Sequence, residues 1–220
     1  KMEQWSCVNH TWWPLVPHAL PKPSVGQEFF SDRDIDLIYV GQAYGPKIDR
    51  LIQLKKKFGS RFRIHGRWPF KGYHGLVRGL LGKPIFPHRV APLTTDERTA
   101  LYCRTKIGFN MHLSDVPRET GNMRMYETPA HGMMMICDKA GRDAHAQIFT
   151  PDEEAVYYDS IVDAIDKIEY YLANDEARLR IAKAGYDRAT SEYGWEPNLK
   201  RFLDWAYSLK AAKTHHVDNQ

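Results

Sequence analysis

The sequence predicts an α/β domain, a parallel sheet flanked by helices, on three observations. A β-rich run, Ile35 to Val40, leads into a helix pattern from Pro46 that stops at Gly59, then a second strand, Arg61 to His65. That strand–helix–strand unit of about 30 residues is the size of a parallel βαβ crossover. The helix-then-strand order then recurs towards residue 138, and the last third carries helical periodicity without any tandem repeat.

Each element has a local reason. Ile35, Leu37, Ile38 and Val40 read as a buried strand that Gly41 ends. Pro46 suits a first helical turn, and Ile48, Leu51, Ile52 and Leu54 share one face behind it. A loop-rich stretch follows, with Gly72, Gly75, Gly79, Gly82, Pro84 and Pro87. Thr94 to Glu97 then offers a capping box for a helix through Tyr102. Lys106 to Met111 reads as a strand, Met123 to His131 as a helix, and Met133 to Cys137 as a buried strand. Ile161, Ile165, Ile168 and Leu172 make one apolar helical stripe. Asn174 or Asp175 caps the next helix, and Pro197 opens a last one carrying Leu199, Phe202, Leu203 and Ala206.

The ends look different. Residues 1–34 hold Trp5, Trp12, Trp13, Pro14, Pro17, Pro21 and Pro23 without a sustained period, which predicts an extended lead or linker. The domain is expected over 35–209, with a polar tail over 210–220.

Composition limits the class. At 43% hydrophobic and 26% charged the chain is ordinary globular material, which excludes disorder and collagen-like architecture. A net charge of +4 is too mild to suggest a nucleic-acid partner. Cys7, Cys103 and Cys137 form no C-x-x-C pair and read as free thiols, which with no apolar span or leader gives a cytoplasmic expectation. Ten histidines show no metal-ligand spacing, and neither a Walker loop nor a G-x-S-x-G elbow is present. No metal or cofactor is expected.

The stretch from Glu119 to Gly132 carries the most chemistry. Glu119 and Glu127 frame a loop-to-helix junction just beyond a strand, where open parallel sheets bind ligands. A helix N-terminus there suits a diphosphate, Gly121 lets the backbone approach, and Arg124 adds charge. Two carboxylates are useful only if the ligand also has vicinal hydroxyls, since a carboxylate accepts two O–H bonds. On spacing alone both glutamates also fit a solvated surface.

Arg124, Tyr126, Glu127, Ala130, Gly132 and Asp138 stand in the order R-x-(F/Y)-E-x-x-A-x-G-x-x-x-x-x-D. This resembles the signature of glycosyltransferases of the two-domain GT-B fold, nearest to the spore-maturation (CgeB-like) group within glycosyltransferase group 1. Ile35 to Gly41 resembles the strand opening the donor domain of that family. Val90 to Tyr102 is similar to its base-contacting loop and helix, Tyr170 to Arg178 to its late helix–turn–helix, and Pro17 to Ala19 to its hinge. The likeness runs from about residue 15 to 207.

The resemblance implies the C-terminal, Rossmann-like half of a GT-B fold, binding a nucleoside-diphosphate sugar for transfer to a hydroxyl acceptor, with retention and without a metal. It places Glu127 on the ribose hydroxyls and Glu119, as the catalytic-site carboxylate, on the donor sugar. Gly121, Asn122 and Met123 would give backbone N–H groups to the diphosphate, and Arg89 and Val90 would meet the base. Arg67 and Lys47 are candidates for the phosphate cations. Thr120-Gly121 stands where the family has Phe-Gly, so the match at Glu119 is looser than at Glu127. The acceptor-binding N-terminal domain is missing from these residues, which implies little turnover by the chain alone. A nucleotide-sugar epimerase of the same fold and a non-catalytic scaffold are the alternatives. The cluster Lys55, Lys56, Lys57, Arg61, Arg63 and Arg67 reads as a solvated helix end, or else as contact with an anionic lipid surface or polyanionic acceptor.

Overall fold

The computed structural model describes residues 26, 28–43, 45–66, 77, 80–81, 93–112, 122–139 and 148–217, without the side chains of 46 and 210–217. A short α1 (Glu28–Ser31) precedes β1 (Ile35–Val40), α2 (Pro46–Phe58), a 3-10 turn (Gly59–Arg61) and β2 (Phe62–His65). Then come α3 (Thr95–Cys103), β3 (Thr105–Asn110), α4 (Met123–Ala130), β4 (Met134–Asp138) and β5 (Val156–Tyr158). Three helices close the chain: α5 (Ile161–Ala173), α6 (Asp175–Glu192) and α7 (Trp195–Val217).

The five strands form one sheet in the order β2-β1-β3-β4-β5, and every pairing is parallel. The period of 2 along the strands sorts side chains into two layers. Leu37, Tyr39, Ile107, Phe109, Met134, Ile136, Val156 and Tyr158 pack under α2 and α5. Met135, Cys137 and Tyr157 pack with Met125, Tyr126 and Ala130 of α4, while Ile38 meets Tyr102 of α3. Hence β4, covered on both sides, is buried at all five positions, as an inner parallel strand must be.

The capping box read at Thr94 forms: Thr94 Oγ1 accepts from Glu97 N, and Glu97 Oε2 accepts from Thr94 N. Ser160 caps α5 by accepting from Asp163 N at 3.1 Å. Three features differ from the sequence pattern. Only helices were expected in the last third, whereas β5 adds an edge strand whose three residues are too few for alternation to show. The expected tail over 210–220 is helical as far as Val217, because α7 continues into it. The lead, 1–34, lies mostly outside the described residues, but its end, Glu28 to Asp34, packs on the domain.

That packing centres on Arg33, only 6% exposed. Its guanidinium donates to four carbonyls: Phe29 (3.0 Å), Tyr102 (3.0 Å), Thr105 (2.6 Å) and His131 (2.8 Å). One side chain thus joins α1, the α3–β3 turn and the end of α4. Burial lowers its pKa to about 10, so it stays charged at neutral pH. Phe29 and Phe30 meet Tyr186 of α6 edge-on and tilted, which docks α1 from the other side.

Three cations of the basic cluster at the end of α2 are engaged within the domain: Lys55 Nζ donates to Phe62 O (2.7 Å), Lys57 pairs with Glu169 and Arg61 with Asp36. Cys103 and Cys137 are free thiols, and burial pushes both up in pKa. No helix among the described residues is long and apolar enough to cross a membrane. An aromatic and aliphatic stripe on α7 (Trp195, Leu199, Phe202, Leu203 and Tyr207) is exposed.

Arg33→Leu removes the donor from four buried carbonyls and should cost about 3 kcal/mol or more, read as a lower urea midpoint with an unchanged slope. Gly66 has φ +134°, and a Cβ there would overlap the Gly41 carbonyl. Gly66→Ala should therefore lower stability by about 2 kcal/mol, measured in the same denaturation experiment.

Candidate functional site

The strand order reverses direction between β1 and β3: from β1 the chain moves to β2 on one side, and afterwards to β3 and β4 on the other. Connections leaving to opposite sides open a crevice at the carboxyl ends of these two strands, the general ligand position in open α/β sheets. Val40-Gly41 and Asn110-Met111-His112 form its floor.

Arg124, from the first turn of α4, spans that crevice. Nη1 donates to Val40 O of β1 at 2.9 Å, Nε to Asn110 Oδ1 of β3 at 3.0 Å, and Nη2 to Met111 O at 3.4 Å. Its guanidinium carbon lies 5.0 Å from the centroid of the Tyr39 ring. A Cβ at Gly41 would overlap Nη1, so the glycine leaves room for the arginine to reach β1. Lys47, 6% exposed near the start of α2, donates Nζ to Met111 O at 3.1 Å. Cations from the two helical layers therefore meet over the same carbonyl at the strand ends.

The N-terminus of α4 faces the same place. Asn122 is its N-cap but makes no side-chain cap bond; its Nδ2 donates instead to Asn110 Oδ1 at 3.1 Å. Met123 and Arg124 follow as the first helical residues, so the positive end of the helix and the two cations converge. Residues 124, 127 and 128 share a helical face. Gly108 lets that face settle on β3, since a Cβ there would overlap the Thr128 methyl.

Glu127 lies one turn further on and is 2% exposed. Its Oε1 is 3.2 Å from Arg98 Nη2 of α3. Tyr102, also buried, has its hydroxyl pKa pushed up by burial and then by the Glu127 charge. Of the residues singled out from sequence, Lys47, Asn122, Met123 and Arg124 are brought together at the crevice, and Glu127 sits behind them. Glu119, Gly121, Arg89, Val90 and Arg67 lie outside the described residues.

Sequence reasoning gave no role to Asn110, Arg98, His112 or Asp138. Asn110 and His112 carry a weak signal, polar residues where a buried strand ends. His112, Cys137 and Asp138 are buried and their ligand-type atoms lie within 4.8 Å of one another, the one such group among the described residues. They bond mainly to each other. Asp138 accepts from His112 N at 2.9 and 3.1 Å and pairs with His112 Nδ1 at 2.7 Å, while Asn110 Nδ2 donates to Cys137 Sγ at 3.3 Å. Burial raises the Asp138 pKa, but the bonds from His112 outweigh it and hold the carboxyl below its usual value. Burial and the Asp138 charge push the Cys137 thiol up in pKa. The group ties the exit of β3 to the end of β4, with Arg50 of α2 at 3.9 Å.

A family model described as glycosyl transferase-like matches residues 48–204. No curated protein matches the chain in sequence. Among solved structures, the C-terminal domain of the glycosyl transferase group 1 family protein LpcC from Francisella tularensis is 17% identical, with a TM-score of 0.54. That match covers 80% of this chain and 96% of that one. A mutant of S. aureus TarM in complex with Fondaparinux, alpha-GlcNAc-glycerol and UDP is 15% identical at a TM-score of 0.57, over 88% of this chain and 38% of that chain. Anabaena HepE in complex with UDP-glucose is also 15% identical at 0.57, over 81% and 49%. The chain thus spans less than half the length of those two proteins. With most of its length matched and its parallel sheet shared with these structures, the chain belongs to the glycosyl transferase-like family and has the fold of the C-terminal half of a GT-B glycosyltransferase.

Proposed function

We propose that the crevice between β1 and β3 binds a nucleoside-diphosphate sugar, for transfer of the glycosyl group to a hydroxyl acceptor. The observation that carries this reading is the meeting of Lys47 and Arg124, from opposite layers, beside the N-terminus of α4. Two cations and a helix N-terminus suit a diphosphate better than a neutral ligand. Glu127 takes the ribose hydroxyls, and the UDP and UDP-glucose complexes of HepE support a donor of that class.

In the proposed reaction the bond from the anomeric carbon to the β-phosphate oxygen breaks, and one forms to the acceptor oxygen. The diphosphate leaves with the electron pair, and its growing charge is stabilised by Lys47, Arg124 and the α4 amides. Retention of configuration, with Glu119 against the donor sugar, completes the proposal. The acceptor would be held by a domain beyond these residues, so the chain alone should bind donor and show little turnover. Basic side chains and the helix end would take the place of a metal ion. Arg89, Val90, Arg67 and Gly121 remain proposed contacts to base and phosphate.

A titration with UDP, GDP and ADP against the matching monophosphates tests the site. A diphosphate at about 100 times its dissociation constant should stabilise the fold by about 2.7 kcal/mol, and the monophosphate should bind more weakly. Lys47→Met keeps the stem and removes the charge, so the affinity of the folded chain for diphosphate should fall about tenfold or more. Gly41→Ala, which pushes the Arg124 guanidinium off Val40 O, should also weaken diphosphate binding. Equal affinity for diphosphate and nucleoside, or an unaffected Lys47→Met, would sink the proposal. Release of free sugar from a sugar nucleotide without an acceptor would point to an epimerase instead.

A further inference from the structure

Glu127 is a carboxylate in an interior, 2% exposed on a helix packed against the sheet. Such a group keeps its charge only where bonds and counter-charge replace water. Arg98 brings a guanidinium to 3.2 Å from Oε1 while remaining 25% exposed itself. It sits on a helix that is fixed at both ends. Arg98 directly follows the Thr94–Glu97 capping box, and its N–H donates to Thr94 O at 3.0 Å. At the other end, Thr105 Oγ1 donates to Leu101 O at 2.7 Å, and Arg33 holds the Tyr102 carbonyl.

A carboxylate that takes a vicinal diol must offer acceptor lone pairs to two hydroxyls at once, and its orientation decides whether both can be met. One guanidinium nitrogen 3.2 Å from Oε1, carried on a capped helix, restrains that orientation in a way a solvated cation does not. We infer that Arg98 is a positioning residue for ribose recognition, holding the Glu127 carboxylate in the one orientation that accepts from both hydroxyls of the nucleotide. This rests on the reading of Glu127 as the ribose-binding group. It extends that reading to α3, which contributes through Glu127 without touching the ligand. Substitution of Arg98 removes the guanidinium 3.2 Å from Oε1, so the carboxylate shifts in orientation and meets one of the two hydroxyls less well. Diphosphate binding by Lys47 and Arg124 is left in place.

The discriminating quantity is the ratio of dissociation constants for a 2′-deoxynucleoside diphosphate and its ribo form, measured calorimetrically on the full chain. UDP and 2′-deoxy-UDP are used, or the GDP or ADP pair where that binds more tightly. The wild-type chain should prefer the ribo form by about tenfold or more, and Arg98→Gln should bring the ratio within about twofold of unity. Arg98→Lys, which keeps the charge but not the planar fork, should fall between them. Arg104→Gln, at the C-cap of α3, should keep the wild-type ratio, which separates an effect at Glu127 from loss of any arginine near this helix. A wild-type ratio in Arg98→Gln overturns the inference and leaves the reading of Glu127 standing. A wild-type chain without ribose preference, or without binding of any pair, overturns both. Where Arg98→Gln does not fold, Arg98→Lys decides: an unchanged ratio overturns the inference, and a drop of about threefold or more supports it.

Discussion

The guanidinium of Arg124 closes the gap where β1 and β3 send their connections to opposite sides of the sheet. No strand hydrogen bond can bridge that gap beyond the last paired residues, and the acceptors there, Val40 O, Asn110 Oδ1 and Met111 O, take a side-chain donor instead. Arg124 serves all three, and its helix must begin where it does to put the side chain there. The position of α4 follows, and with it the depth of Glu127 and the contact of Thr128 over Gly108. The glycine at 41 and the alternation along β3 are conditions for the same placement.

Arg33 does comparable work at the opposite edge. It feeds four carbonyls where chain segments turn back toward the strand starts, whereas Arg124 sits where they leave. The difference lies in exposure. Arg33 is 6% exposed and committed to the fold, while Arg124 is only half-buried and lies beside Lys47 and an uncapped helix end. The same residue type thus acts as a structural fastener at one end of the sheet and as part of an anion-attracting cluster at the other. Burial and the charges around each guanidinium decide which role it plays.

Much of this was legible from residue patterns. The strand runs at Ile35 and Met133, the capping box at Thr94 and the stripe through Ile161 are local signals with local causes, and each formed close to its expected place. Lys47 and Arg124 were found as phosphate candidates, but not that they meet over Met111 O, because that meeting depends on two helices lying on opposite layers. Arg98 escaped for the same reason: its partner is contributed by another helix, and a charge in a first turn looks solvated until its neighbour is known. The Asp138–His112 pair is likewise a product of strand register. β5 was missed because three residues carry no period.

The strand order has a consequence for how the chain reaches its native state. β1 finds β2 soon after it is made, across one helix, but its other edge pairs with β3, Ile35 opposite Thr105. Until that later segment arrives, one whole side of β1 offers unpaired amide and carbonyl groups to any passing strand. Pairing across so long a stretch of sequence is slow, because the loop entropy must be overcome before contacts repay it. During synthesis the domain therefore passes through a period with an open sheet edge, the condition under which aggregation competes with folding.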